Sequence, residues 1–409
     1  MELIIIGGSI GGLTLGLMLH RAGIPSRIYE SAPDSKPVGV GINILPHASK
    51  SLCELGLEAE LTRAGILTRE AVFYNRYGQL IYSEPLGRYA GYEHPQFSIH
   101  RGDLQMALLD AYRERAGADR VHAGWRCTGF DQDATGVVAY FRDSVSGAEL
   151  EPQRGTILLG CDGIYSTIRK QLHPHEGPPL YSGVNMWRGV TPWAPFLSGG
   201  SMVRAGWLEG GKMVIYPIRD DIDAERHQLV NWVAEVATPN YKPRDWNRPG
   251  NLDDFIGCFD EWHFDWLDVP AMIRSTGKIL EFPMIDQDPL PWWSRGRVTL
   301  LGDAAHPMYP RGSNGAGQAI IDARALTACL ARGGDVEQAL ESYERERREA
   351  TANIVYTNRS NPPDAILREV YVRTSDKPFD NLEDVITQQE LRAITESYKQ
   401  VTGDRRRAV

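Results

Sequence analysis

The sequence predicts an α/β chain with a Rossmann-like nucleotide-binding domain, an inserted antiparallel β-sheet and C-terminal helices. Three observations predict it. The apolar run Leu3-Ile4-Ile5-Ile6 enters Gly7-Gly8-Ser9-Ile10-Gly11-Gly12, a helix-like run spans Leu13 to Arg21, and a second apolar segment ends at Glu30. Two later short strands, Thr156-Ile157-Leu158-Leu159 and Arg297-Val298-Thr299-Leu300-Leu301, end in Cys161-Asp162-Gly163 and Gly302-Asp303. Between them, from about Val184 to Val236, the chain turns to strand-like pieces rich in aromatics.

The opening unit reads as a strand, a phosphate turn, a helix and a second strand carrying a ribose-binding acid. Gly7 allows the tight turn, Gly12 lets the helix pack close to the strand, and the helix start at Ile10 and Gly11 offers N–H groups to a pyrophosphate. The middle glycine of the usual G-x-G-x-x-G pattern is Ser9 here. A serine costs ~1 kcal/mol where positive φ is needed, but its hydroxyl can donate to a phosphate. A dinucleotide is therefore expected, against the plainer alternative of an ordinary strand-to-helix turn.

Further along, Pro46 to Leu55 reads as a helix, and Glu70 to Tyr74 with Gln79 to Ser83 as a hairpin around Tyr77-Gly78. His100 to Arg115 has apolar residues at Leu104, Leu108, Leu109 and Tyr112, the spacing of an amphipathic helix. A short helix through Arg169 follows Gly163. The strand-like pieces Asn185 to Arg188, Met213 to Tyr216 and Leu229 to Val233 form the inserted sheet. Long helices are expected from Asn314 to Ala331, opened by Gly312-Ser313-Asn314-Gly315-Ala316-Gly317, and from Val336 to Thr357, ended by Asn361-Pro362-Pro363. A weak helix, Glu383 to Lys399, lies in the polar tail. Segments 1–180 and 278–360 then make the nucleotide domain, 181–277 the mainly β substrate domain with strands added from 69–100, and 361–409 a helical tail.

Composition excludes several classes of function. With 42% hydrophobic and 24% charged residues, the 409-residue chain is ordinary for a globular enzyme. A net charge of −9 argues against nucleic acid, and the basic run Arg405 to Arg407 reads as a solvated end. Cys53, Cys127, Cys161, Cys258 and Cys329 show no C-x-x-C spacing, so neither metal nor a disulfide framework is expected and a reduced cytoplasmic compartment fits. The first strand starts at Glu2 and no apolar run approaches eighteen residues, so neither a signal peptide nor membrane association is expected.

Glu30, Asp162-Gly163 and Gly302-Asp303 end three strands, and in an open parallel sheet ligands bind outside those carboxyl ends. An aspartate there can also be a simple helix N-cap, a reading that stays open for Asp162. Taken with Arg169 and Ala304-Ala305-His306-Pro307, the three motifs resemble the fingerprints of the single-component flavin-dependent aromatic hydroxylases, the para-hydroxybenzoate hydroxylase type. The likeness covers residues 1 to 360 in order, and the stretches Gly39 to Ile44, Ser98 to Gly102, Met186 to Val190 and Ala304 to Pro310 are most similar to the phenazine monooxygenase branch.

That resemblance implies tightly bound FAD, reduced by transient NADH or NADPH, reacting with O2 to a C4a-hydroperoxide that hydroxylates an electron-rich aromatic or heteroaromatic ring, with decarboxylation where a carboxylate sits at the target carbon. It implies that Glu30 holds the adenosine ribose, Arg101 and Gln105 the pyrophosphate and ribityl chain, and Asp303 the ribityl hydroxyls. Asp162, Gly163 and Arg169 serve FAD and the nicotinamide together, and Gly315, Ala316 and Gly317 meet the pyrimidine edge of the flavin. A helix start there carries about half a positive charge, which suits a reduced ring. No second strand-turn-helix nucleotide unit is visible, as suits a transient nicotinamide.

On the substrate side, Trp187, Trp193, Trp207, Tyr216 and Trp232 offer planar surface, or else form the sheet's own core. Arg188 suits a substrate carboxylate or a neighbouring acid. His306, before Pro307, invites an acid–base role, though packing and hydrogen bonding are the favoured reading, and Arg311 is a further anion contact to test. Two other functions stay open: a flavin dehydrogenase or oxidase on this fold, and a non-catalytic flavin-binding module. Monomer and homodimer are equally compatible with the sequence.

Overall fold

The computed structural model describes residues 2–34, 39–238 and 248–403. The basic run Arg405 to Arg407 and the end of the tail lie outside them. The nucleotide domain is built on a five-stranded, wholly parallel sheet in the order Val298–Leu300, Ile157–Gly160, Leu3–Ile6, Ser26–Glu30, Val121–Ala123. The four strands expected from sequence share it, and Val121–Ala123 extends the edge beside Glu30. All four residues of Leu3–Ile6 are buried, the continuous apolar pattern of a strand covered on both faces.

Close packing around the start of the Ile10–Arg21 helix, against Gly315–Ala331 on one side and the Gly7 turn on the other, explains two of the glycines. A Cβ on Gly11 would come within 3.0 Å of Leu301 and 3.1 Å of Ala319, and one on Gly12 within 2.0 Å of the Gly7 carbonyl oxygen. Gly7 itself has φ +105° and its Cβ would lie 2.4 Å from the Cys161 carbonyl oxygen. Ser9, by contrast, sits at φ −75° and ψ 176°, where serine is unstrained. Its side chain caps the helix by accepting from the Gly12 N–H, so the expected cost of losing the middle glycine does not arise.

The second layer is an eight-stranded sheet in the order Arg248–Pro249, Leu280–Asp286, Leu180–Trp193, Gln228–Ala237, Gly211–Arg219, Ser201–Trp207, Glu70–Tyr74, Leu80–Pro85. It is antiparallel except where Ser201–Trp207 meets Glu70–Tyr74, a parallel pair that brings in the hairpin from the nucleotide half. One boundary shifts. Leu280–Asp286, expected in the returning nucleotide segment from 278, pairs with Leu180–Arg188 in this sheet, because its register with that strand buries all seven of its residues.

Two three-stranded sheets were not legible in the sequence. One is the meander Trp125–Asp133, Gly136–Asp143, Glu149–Gly155, and the other joins Gly41–Ile44, Phe97–His100 and Ile66–Leu67 between the two layers. In the tail, Ala365–Thr374 is an additional helix, and the weak helix expected from Glu383 starts at Gln388. A capping box between Thr387 and Glu390 sets that start, leaving Leu382–Asp384 as a separate 3-10 turn. No helix among the described residues is long and apolar enough to cross a membrane.

Candidate active site

Two cavities flank the carboxyl ends of the parallel strands. The first, about 420 Å³, is lined by Gly7, Ser9, Glu30, Arg101, Asp162 and Gly163 among others, six residues singled out from sequence. Glu30 is drawn onto the turn, accepting from the Gly8 N–H at 2.7 Å and the Ala32 N–H at 2.7 Å. Gln105 braces the turn from behind by donating to the Gly8 carbonyl at 2.8 Å. Ile10, Gly11 and Gly12 form the first helical turn beneath it, with Gly11 and Gly12 packing inward.

Asp162 is a helix cap that also faces this cavity. It lines this cavity, yet its carboxylate accepts from the Ser166 hydroxyl at 2.5 Å and the Thr167 N–H at 2.8 Å, capping the Thr167–Leu172 helix. Arg169 does not reach either cavity. It is 2% exposed, ion-paired with Glu176, and donates to the Ala304 and Ala305 carbonyls at 3.0 and 2.9 Å. Its work is to clamp the loop after Asp303, since its guanidinium is spent on those two carbonyls and on Glu176.

The second cavity, about 260 Å³, lies between the two layers. Asp303, Gly315 and Ala316 close one side, and Arg188, Tyr216 and Pro307 another. Met186, Met202, Val214, Val233 and Phe282 give it apolar walls. Asn43, Ile164 and Glu235 also line it, and the sequence reading missed them. The signal for Glu235 was present in strand alternation, since it lies two residues from Val233 on the same face.

Four of the five aromatic candidates lie off the cavity wall. Trp187 and Trp232 are 2% and 0% exposed and face away from the cavity, in a core where Trp187 stacks on Phe255 at 5.0 Å. The Trp232 Nε1–H donates to Thr191 and Thr276 at 3.1 and 2.9 Å. Trp193 packs against the same core, while Trp207 joins a different cluster under the tail helices. Arg188 and Tyr216, one residue out of phase with these, point in.

His306, Arg311 and Gly317 also lie off the cavity wall. His306 is 2% exposed and its Nε2 lies 2.5 Å from Asp322 Oδ2. Asp322 further accepts from the Gly302 N–H at 3.1 Å and Arg347 Nε at 2.7 Å. His306 thus belongs to a buried network that fixes the left-handed Gly302 turn, φ +62°, before Asp303. Arg311 reaches back to the Asn358 carbonyl at 3.4 Å, and Gly317 packs near Ala48.

The charges on the wall are incompletely matched. The Arg188 Nη2 donates to the Gly41 carbonyl at 2.9 Å, its buried Nε has no protein acceptor, and no carboxylate of the described residues forms an ion pair with it. Burial lowers its pKa. Burial likewise pushes the Tyr216 phenol up to about 12, against the opposing pull of Arg188, so it is a neutral hydrogen-bond donor at neutral pH. Burial raises Asp303 also, and its carboxylate accepts no hydrogen bond from the described residues. An acid without a donor, beside the open start of a helix, fits a hydroxyl-bearing cofactor chain.

Residues 1–238 and 285–358 match the family model described as FAD binding domain. The phenazine 1,6-dicarboxylic acid hydroxylase PhzS of Lysobacter antibioticus is 42% identical over 88% of this chain and 89% of its own length. The 6-hydroxynicotinate 3-monooxygenase of Bordetella bronchiseptica is 31% identical over 91% of this chain and 92% of its own. The solved structure of HpxO from Klebsiella pneumoniae with FAD and uric acid superposes with a TM-score of 0.74 at 22% identity, over 98% of this chain and 93% of that one, which establishes the fold. The chain belongs to the FAD-binding-domain family and is an FAD-dependent monooxygenase.

Proposed function

We propose that this monooxygenase hydroxylates a planar, carboxylated nitrogen heterocycle of the phenazine class, using NADH or NADPH as reductant. One observation carries the reading: Arg188 is a desolvated guanidinium on the cavity wall whose Nε lacks an acceptor. A buried cation without its partner is costly, and a ligand carboxylate completes it through charge-assisted hydrogen bonds. The phenazine hydroxylase relative, with its dicarboxylic substrate, points to the same ligand chemistry.

FAD would be held at its nucleotide end by Gly7, Ser9, Glu30, Arg101, Asp162 and Gly163, and toward its ring by Asp303, Gly315 and Ala316. Bound there, it supplies the two-electron chemistry that activates O2 for ring hydroxylation. Arg188 orients the substrate carboxylate, Tyr216 presents a proton-bearing Oη to a ring heteroatom or hydroxyl, and Met186, Met202, Val214 and Phe282 keep water from the reacting face. Pro307 stiffens the opposite wall. Loss of CO2 accompanies hydroxylation if the target carbon bears the carboxylate. Five free thiols support a cytoplasmic enzyme, acting as monomer or homodimer.

The test is anaerobic reduction of the bound flavin by NADH and by NADPH, with and without phenazine, quinoline, salicylate and phenolic acids, followed by aerobic turnover in 18O2. A phenazine carboxylate that speeds reduction many-fold and gains one labelled oxygen supports the proposal. Flavin reduction by the aromatic compound alone would replace it with a dehydrogenase or oxidase, and NAD(P)H turnover no faster than that of free flavin with a binding module.

A further inference from the structure

The family match ends at residue 358, yet the segment beyond it reaches the cavity wall by two routes, one direct and one through Lys212. Tyr398, on Gln388–Thr402, places its hydroxyl within hydrogen-bonding distance of three groups. It accepts from Asn314 Nδ2 at 2.8 Å and donates to Asn358 Oδ1 at 2.7 Å, with the Arg311 carbonyl 3.3 Å away. Asp364, 2% exposed just before Ala365–Thr374, pairs with the buried Lys212 and with Arg204 at 3.2 Å. Lys212 in turn donates to Glu235 Oε1 at 2.9 Å, and Glu235 is cavity wall.

We propose that the C-terminal helix pair is an active-site element, and that Tyr398 is a positioning residue that sets the start of the Gly315–Ala331 helix against the flavin ring. Gly312 and Ser313 both have left-handed backbones, φ 70° and 58°. Such a conformation is strained for a serine and persists only where the surroundings enforce it. Tyr398 supplies that enforcement. Its hydroxyl oxygen occupies the space a Gly312 Cβ would fill, 1.9 Å from that position, and one phenol ties Arg311, Asn314 and the end of the long helix together. Ser313, Asn314, Gly315 and Ala316 line the cavity directly after this turn. The inference rests on the flavin position proposed above.

The test compares holoenzymes of Tyr398→Phe, Ala316→Asp and the solvent-facing control Ser397→Ala. Tyr398→Phe keeps the ring and removes only the hydroxyl. It should weaken FAD binding about tenfold, make the flavin midpoint potential more negative and alter its visible spectrum, while Ser397→Ala changes none of these. Unchanged potential and spectrum in Tyr398→Phe, with a shifted potential in Ala316→Asp, overturns the role of Tyr398. No shift in Ala316→Asp overturns the flavin position on which that role depends. Should Tyr398→Phe not fold, Asn358→Ala removes the hydroxyl's acceptor and reads the same potential and spectrum, with the same outcomes decisive.

Discussion

Replacing Arg188 with methionine separates the substrate proposal from stability. One arm of the guanidinium, Nη2, is committed to the Gly41 carbonyl at 2.9 Å, while the buried Nε has no protein acceptor and is open to a carboxylate oxygen. Hydrogen bonds to charged groups contribute about 1.5–3 kcal/mol, so loss of the Nε contact should raise the KM of a carboxylated substrate roughly ten- to hundredfold. The guanidinium is already desolvated on folding, so little of that gain is cancelled when the ligand enters. For the same reason the methionine variant, which deletes a buried charge and keeps a similar stem, should melt no lower than the parent. Steady-state kinetics on a phenazine carboxylate and its amide supply the assay. The parent should favour the acid strongly, and Arg188→Met should bring the two within about threefold of each other by raising the acid's KM alone. An unchanged KM for the acid, or an equal loss for the amide, refutes the reasoning.

Asp303→Asn should bind FAD more weakly, as read by fluorescence titration. An acid whose folded pKa is raised stabilises the fold below its unfolded value and loses that contribution as pH rises through the folded one. The Asp303→Asn apoprotein should therefore melt above the parent at pH 7, with the gap closing toward pH 4. Asp322 runs the other way: against the upward push of burial, the charges and hydrogen bonds of His306 and Arg347 hold it at about 2. Its stabilisation is full above the ordinary carboxylate range and fades as pH falls toward 2, and Asp322→Ala should cost about 3–5 kcal/mol in denaturant titrations near neutrality. Trp232→Phe should lower the melting temperature through its lost hydrogen bonds to Thr191 and Thr276, while leaving substrate KM within about twofold. A large KM effect would return Trp232 to the site.

The nucleotide half was legible because its signals are local. Gly7, Gly12 and Glu30 lie within one strand-turn-helix-strand unit, and each is required by a contact that the unit makes with itself or with the adjacent strand at Cys161. The substrate half was legible only to within one residue. Aromatic texture identified the strands, but which face looks inward depends on pairing across Leu180–Trp193, Gln228–Ala237 and Gly211–Arg219, and a one-residue change of phase exchanges Trp187 for Arg188. Leu280–Asp286 was assigned to the wrong layer for a related reason. A fully buried strand has no alternation to report, so only its long-range partners locate it.

The burial of His306 changes how the cavity's chemistry must be divided. Among the described residues that line it, the ionisable side chains are Arg188, Tyr216, Glu235 and Asp303, and no histidine is present. Arg188 keeps its charge and Tyr216 keeps its proton through the neutral range, and Glu235 is engaged through Oε1 by Lys212. The wall is therefore suited to fixing a charged substrate and donating hydrogen bonds, with the histidine's part transferred to backbone architecture. Through Asp322 it holds the Gly302 turn that aims Asp303 into the cavity, which is why a residue adjacent to the reacting space in sequence can be indispensable to it without touching it.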